Sequence, residues 1–457
     1  MLDLMLVRPG PSTRAEAHWN DSLPLGIGYL AASARDAGLR VAVVDGRLMK
    51  HRSTHETVTH IRDQNPTVVG ISALTVEYLR AAEIAAGVKR TASRPTVVLG
   101  GAHANALPRA SLAEAQNLDY VIAGEGEASL VSLVRALRAG RSPSLVAGLY
   151  SRSNTGTIEN DSPPQYDLSI DGLPFPAWDL FPKQRIYPLM TERGCPYSCV
   201  FCSRNMSRRV RSRSVDHVME EIRWLDRDFA PERIYIEDET FGLNSERATD
   251  LLSRLAEFNR DGRICFKAQT RVDRITPQIA RLMKKAGFRY LEIGIESGDE
   301  RILANANKGF RLDEVESRMR TLVDAGIKTW VNFIIGLPGE TPTSVRKSID
   351  LSVKLNPNRL SVAIIVAYPG CDVYDWATQG HNGYRLLTGD WSRFDKYLSS
   401  SVELEELSYS SMRRWQLQMY FETYLRNLRV GELLKLLWRN RTFVRPVLQS
   451  MFRSLAI

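Results

Sequence analysis

At 457 residues the chain is long enough for two or three domains with separate cores. Its 44% hydrophobic and 25% charged residues exclude a disordered or fibrous polymer, and five cysteines in this length exclude a disulfide framework. No apolar run approaches the roughly 18–20 residues that span a bilayer, and no nucleic-acid recognition motif accompanies the net charge of +9.

A reducing, cytoplasmic compartment fits the clustered, oxygen-sensitive thiolates, and the opening segment, MLDLMLVRPG, is too short and too strand-like for a signal peptide. From there Leu2–Val7, Arg40–Val44, Thr67–Ser72, Thr96–Leu99 and Tyr120–Ala123 read as buried strands. Between them Leu25–Ala37, His55–Gln64, Tyr78–Thr91 and Glu127–Ala139 read as amphipathic helices. Such β–α repeats predict an α/β fold that begins with a doubly wound, flavodoxin-like domain over 1–145, its ligand crevice at the carboxyl ends of the strands.

Leu149–Ser153 and Thr157–Glu159 look like a hairpin, and the prolines between Asn160 and Lys183 stiffen a linker, so 146–183 is expected to join two domains. A second β–α series places strands at Tyr187–Thr191, Arg233–Glu237, Cys265–Gln269, Tyr290–Ile295, Thr329–Ile335 and Ser361–Val366. Six units predict a partial (β/α)6 barrel over 184–387 with chemistry at the C-terminal strand ends. Residues 388–457 read as helical. From Ser411 onward nine basic residues face only Glu422 and Glu432, a net +7 out of the chain's +9. A basic amphipathic helix packed on its own protein, a membrane-surface contact and an acidic partner all fit that tail.

The densest chemistry is TERGCPYSCVFCS, with Cys195, Cys199 and Cys202 in eight residues on the loop after the first barrel strand. Three thiolates leave a [4Fe-4S] cube one ligand short, so one iron stays open to bind a reactant. A zinc site or three structural thiols are the alternatives, but no second C-x2-C and no His-x3-His follows. The C-x3-C-x2-C spacing, with Phe201 before the last cysteine, resembles the radical S-adenosylmethionine (SAM) superfamily. That resemblance implies SAM on the open iron, one-electron cleavage of its carbon–sulfur bond, a 5′-deoxyadenosyl radical, and a low-potential flavodoxin- or ferredoxin-type donor.

The same resemblance assigns the following strand ends. Glu237, Asp238 and Glu239 would accept the SAM ammonium, unless they form a surface acidic turn. Gln269 and Arg271 follow; Arg271 either clamps the SAM carboxylate bidentately or makes a structural ion pair. Glu296 would take both ribose hydroxyls, with Ser297 beside it, and Gly336, Pro338, Gly339 and Glu340 would form the adenine-side loop. Cys265 reads as core. Cys371, at the sixth strand end, is either packing or a hydrogen-atom donor or substrate contact. His18 and His103 fall on loops without a role.

The N-terminal domain resembles that of the superfamily's cobalamin-binding subgroup. Ser72-Ala73-Leu74 matches its S-x-L element and Gly100-Gly101 its G-G element, with Gly124 and Glu125 at the fifth strand. Small residues there would let the corrin and its tail approach the backbone. The cobalt-ligating D-x-H-x-x-G motif is absent, since Asp45-Gly46-Arg47-Leu48-Met49-Lys50 stands in its place, and an empty scaffold domain is the alternative. No cysteine precedes Cys195, which argues against the methylthiotransferase branch. The resemblance implies cobalamin-dependent methylation of an unactivated carbon in a secondary metabolite. In that scheme the radical abstracts a hydrogen, methylcobalamin supplies the methyl group and a second SAM remethylates the cobalt. B12-independent dehydration, deoxygenation, cyclisation or rearrangement is the runner-up, and a non-enzymatic cluster sensor or carrier is the third reading.

Overall fold

The structure, a computed structural model, describes residues 2–10, 22–48, 53–166, 169–203, 207–397 and 400–439. His18, Met49, Lys50, Arg441, Arg445 and Arg453 lie outside the described residues. The N-terminal strands are β1 Leu2–Arg8, β2 Val41–Asp45, β3 Pro66–Ser72, β4 Thr96–Gly100, β5 Tyr120–Ile122, β6 Leu149–Arg152 and β7 Ile158–Glu159. They form one sheet in the order β2-β1-β3-β4-β5-β6-β7. β1 to β5 run parallel, and the order reverses between β1 and β3, which opens a crevice at their carboxyl ends. Helices cover both faces, so Leu4, Met5, Leu6 and Val7 are buried in succession.

The hairpin does not belong to the linker. β6 pairs antiparallel with β5, and β7 with β6, so the N-terminal sheet runs past residue 145. The physical reason is that β5 would otherwise end the sheet with its backbone groups unpaired. The proline-rich segment docks beside it: Trp178 is fully buried, and a Cβ on Gly28 would come within 2.7 Å of its ring.

The second sheet contains β8 Ile186–Leu189, β11 Arg233–Ile236, β12 Cys265–Thr270, β13 Phe288–Glu296, β14 Lys328–Ile335 and β15 Arg359–Ile364. Its order, β15-β14-β13-β12-β11-β8, is the open six-stranded parallel arrangement of a partial barrel. Between β8 and β11, β9 Glu192–Arg193 and β10 Arg211–Ser212 form a short antiparallel ribbon around the cysteine loop. Alternation decides which side chains enter the lumen. Ile234, Phe266, Leu291 and Val331 are fully buried beneath the helices, while Tyr235, Lys267, Glu292 and Trp330 take the opposite face. There Lys267 Nζ binds Glu292 at 3.0 Å and sits 4.3 Å and 4.2 Å from the centroids of the Tyr235 and Trp330 rings.

Past the barrel the chain is not wholly helical. β16 Tyr384–Leu386 and β17 Val402–Leu404 pair as an antiparallel ribbon before the helices Tyr409–Arg426 and Val430–Arg439. Three-residue strands are too short for a period-two pattern to register in sequence. No helix among the described residues is long and apolar enough to cross a membrane.

Candidate functional site

The cysteine loop is held by its neighbours before any ligand is considered. Gly194 takes φ +97°, and a Cβ there would come within 2.6 Å of the Ser207 carbonyl oxygen, so the entry to the loop requires glycine. Gly194 N donates to Glu239 Oε2 at 3.2 Å, and Val200 N donates to the Ala306 carbonyl at 3.2 Å. Cys195 and Cys199 are half-buried and Cys202 is exposed. Among the described residues no three His, Cys, Asp or Glu side chains converge as they would around a single ion. A cube asks for something different, one thiolate on each of three irons. Burial pushes the Cys199 thiol up, while Lys308 and Arg271 oppose that shift and the Glu296 carboxylate adds to it.

Arg271 is buried, stacks with its guanidinium carbon 3.7 Å from the Tyr197 ring centroid, and pairs with Asp273 at 3.0 Å. Its Nη1 is buried with no hydrogen-bond partner, a donor left for a ligand. Glu296 closes β13 across a register shift, at φ +72°. Residues with a Cβ rarely adopt that conformation, so the backbone is strained at this strand end. Its Oε1 accepts from Lys308 Nζ at 2.8 Å. A Cβ on Gly294 would run into that same oxygen, so the glycine makes room for the pair.

Glu237 and Glu239 retain accessible surface, yet burial pushes Glu237 up to about 7 and raises Glu239 as well. Both facts fit side chains enclosed by protein and open to a cleft. Arg8, at the carboxyl end of β1, is the opposing charge that acts most on Glu237, ahead of Lys267. The strand ends of the two domains therefore face one another.

Other predicted site residues turn away. Asp238 accepts from Thr191 N and Thr191 Oγ1, both at 2.6 Å, and from Glu192 N at 3.0 Å, so it braces β8 against β11 rather than offering itself to a ligand. Gln269 Nε2 donates to the Asp238 carbonyl at 3.1 Å. Ser297 Oγ is buried against Ser348 Oγ at 3.3 Å. Glu340 Oε2 accepts from Gly336 N and Leu337 N, and burial pushes this carboxyl up to about 8. A Cβ on Gly336 would meet Ile365 at 2.5 Å, so that glycine serves packing. Gly339 stays on the exposed rim. Cys371 is buried, with its thiol pushed up to about 12 by burial and by Cys202 among its neighbours.

In the N-terminal domain Ser72 and Gly100 pair at the ends of β3 and β4. A Cβ on Gly100 would meet nothing nearer than 3.9 Å, and Leu74 stands 38% exposed above it, which leaves a shallow cradle. Gly101 is different: at φ +92° a Cβ would sit 2.8 Å from Ala73 backbone atoms. Gly124 likewise packs on Pro164, 2.9 Å from a Cβ built there. Arg47, in the histidine position of the missing cobalt motif, is buried and donates to Glu77 at 2.8 Å. His103 sits in a short helix, Ala102–Ala106, rather than a loop, and burial lowers it to about 4.

Glu125 is not free for a ligand. It accepts from Arg211 at 2.9 Å and pairs with Arg193 at 3.3 Å, while Arg193 also binds Glu127 at 2.6 Å. All four side chains are nearly excluded from solvent, and they tie the domains together two residues before Cys195.

Comparison with known proteins agrees with this geometry. The Radical SAM superfamily matches residues 190–352, and the B12 binding domain matches residues 19–134. An uncharacterized methyltransferase of Pyrococcus horikoshii is 30% identical over 432 residues, covering 93% of this chain and 92% of its own. The chain belongs to the radical SAM superfamily, in the group with a B12-binding domain. It is also 26% identical over 368 residues to an anaerobic magnesium-protoporphyrin IX monomethyl ester cyclase of Rubrivivax gelatinosus, with 77% of this chain and 65% of the cyclase covered. Among solved structures, the radical SAM methyltransferase TsrM of Kitasatospora setae shares the fold at a TM-score of 0.73 and 19% identity, over 92% of this chain and 88% of that one.

The protein is thus a radical SAM enzyme whose cofactors are a [4Fe-4S] cluster, SAM and cobalamin. The residues present fit them: three cysteines on one pinned loop, an orphaned Arg271 donor, and the open cradle at Gly100. Sequence reading missed Lys308, Arg8, Tyr197 and the Arg193–Arg211 pair. Of these, Arg193 and Tyr197 carried a signal, their places beside and within the cysteine run.

Proposed function

We propose that this enzyme is a cobalamin-dependent C-methyltransferase acting on an unactivated carbon of a small metabolite. One observation carries the reading: Arg8, at the carboxyl end of β1, acts on the Glu237 carboxyl at the end of β11, which brings a strand end of each domain together. In this reading Cys195, Cys199 and Cys202 hold three irons. The Arg271 Nη1 donor takes the SAM carboxylate, Glu237 and Glu239 accept from its ammonium, and Glu296, steadied by Lys308, receives the ribose. Ser72, Leu74 and Gly100 border the corrin. The bound groups supply one-electron cleavage of the SAM carbon–sulfur bond and methyl transfer from cobalt. The protein's part is to orient SAM, exclude water through the buried Arg193 network, and present the substrate carbon between the two sites. A low-potential flavodoxin- or ferredoxin-type protein is the electron donor.

The test is anaerobic. Reconstituted enzyme receives reductant, SAM and candidate small-metabolite substrates, with and without hydroxocobalamin. S-adenosylhomocysteine formed only with cobalamin, alongside 5′-deoxyadenosine, supports methylation. The similarity to a cyclase favours one second reading, radical rearrangement or cyclisation without methyl transfer. It predicts 5′-deoxyadenosine alone. Absence of SAM cleavage in every arm would sink both.

A further inference from the structure

The loops that follow β11 and β12, with the helix Pro277–Ala286, enclose a cavity of about 130 Å³ on the helix side of the second sheet. Phe241, Ile275, Ile279 and Met283 are buried and give it an apolar floor. Asp273 and Arg274 also line it. Asp273 is half-buried and Arg274 exposed, so the charges stand where the cavity meets solvent. Protein interiors leave few voids larger than a water molecule, and an apolar void of this size admits a small organic body. The lining therefore asks for a ligand with an apolar tail and a charged head.

The two charges define that head. Asp273 accepts from Arg271 Nε at 3.0 Å and from Arg271 Nη2 at 3.3 Å, and it lies 3.6 Å from Arg274 Nη2. A carboxylate has about four acceptor positions, so Asp273 has room for an ammonium. Among the described residues Asp273 is the one ion-pair partner of Arg274, and the guanidinium fork matches a carboxylate. An α-amino acid with an unbranched apolar side chain meets the acid, the arginine and the floor together. Position narrows the choice. Asp273 is shared with Arg271, whose orphaned Nη1 is the donor assigned above to the SAM carboxylate. Both arginines lie over the Tyr197 ring of the cysteine loop, at 3.7 Å and 5.9 Å from its centroid. The cavity is thus one ion pair away from the place where cleavage of SAM leaves methionine.

We propose that this cavity binds the methionine released from SAM, a reading that rests on the SAM site proposed above. Its carboxylate pairs with Arg274, its ammonium with Asp273, and its thioether packs on Phe241 and Met283. An ammonium on Asp273 competes with Arg271 for that carboxylate and loosens the SAM clamp, so methionine and SAM weaken each other by the same factor. The experiment is equilibrium dialysis of labelled L-methionine against the reconstituted full chain saturated with S-adenosylhomocysteine, which fills the SAM site. One methionine per chain is expected. Arg274→Glu, which reverses the charge at the mouth, and Leu243→Trp, which fills the cavity from its wall, should each weaken binding at least about tenfold. Neither residue belongs to a cofactor site, so iron content and thermal melt should match the parent chain. The dissociation constant of S-adenosylhomocysteine should rise with methionine and level off at about fivefold or more, the mark of two sites. A rise without limit means that methionine only competes for the SAM site, and overturns the proposal. No methionine on the saturated enzyme, or binding that both variants leave untouched, also overturns it. SAM cleavage by the same preparation with dithionite reads the SAM site separately: an enzyme that cleaves SAM and binds no second methionine refutes the cavity site alone.

Discussion

Lys308 Nζ donates to Glu296 Oε1 at 2.8 Å, with both side chains nearly excluded from solvent and both close enough to Cys199 to move its thiol in opposite directions. One ion pair therefore links the strand end that reads as the ribose site to the loop that reads as the cluster site. Lys308→Met should weaken SAM binding to reconstituted enzyme by about 10–100-fold, the range for losing an outer partner of a bound group. Calorimetry measures this, and Lys308→Arg should recover part of the loss.

Gly294→Ala attacks the same pair sterically. The new methyl would occupy the space of Glu296 Oε1 and approach Lys308 Nζ to 3.1 Å. The helices outside the sheet would be untouched, so the melt should hardly shift while SAM affinity falls at least about tenfold, roughly 1.4 kcal/mol. An unchanged affinity would detach Glu296 from the SAM site.

Arg193 tests the domain junction. Its removal leaves Glu127 buried without a counter-charge and Glu125 with Arg211 alone, so Arg193→Met should cost about 3–5 kcal/mol of stability. Denaturant unfolding reads the loss directly. A change below about 1 kcal/mol would mean that the network behaves as a surface pair.

Glu340 governs a pH dependence. Burial raises its folded carboxyl to about 8, well above its unfolded value, so the folded chain holds a proton that the unfolded chain releases. Stability contributed by that proton is complete at low pH and is lost as pH climbs from the ordinary carboxylate range through about 8. Glu340→Gln keeps an acceptor for Gly336 N and Leu337 N without the proton, and should flatten that decline between about pH 5 and 8 in urea titrations. Asp238, raised to about 7 by burial, adds a decline of the same sign that the variant leaves in place.

Cys371 should not be a cluster ligand. A thiol pushed up to about 12 remains protonated at neutral pH, and the ligand form is the thiolate. Cys371→Ala is expected to retain full iron content and SAM cleavage, whereas Cys199→Ala should lose both. If iron falls in Cys371→Ala, the fourth position of the cluster is not open.

Sequence alone determined the elements and the chemistry that depends on short spacing. Apolar runs marked the buried strands because parallel sheets cover both faces with helices. The C-x3-C-x2-C loop declared itself because its donors lie within eight residues. Tertiary structure decided which of several adjacent carboxylates are available. In YIEDETF, Glu237 and Glu239 open to the cleft while Asp238 is consumed by Thr191 and Glu192, 47 and 46 residues away. Glu125 looked like a ligand contact until Arg211, 86 residues distant, took it. The physical reason is that periodicity and spacing are written locally, whereas the partner of a polar side chain depends on which distant segment folding brings within hydrogen-bond reach.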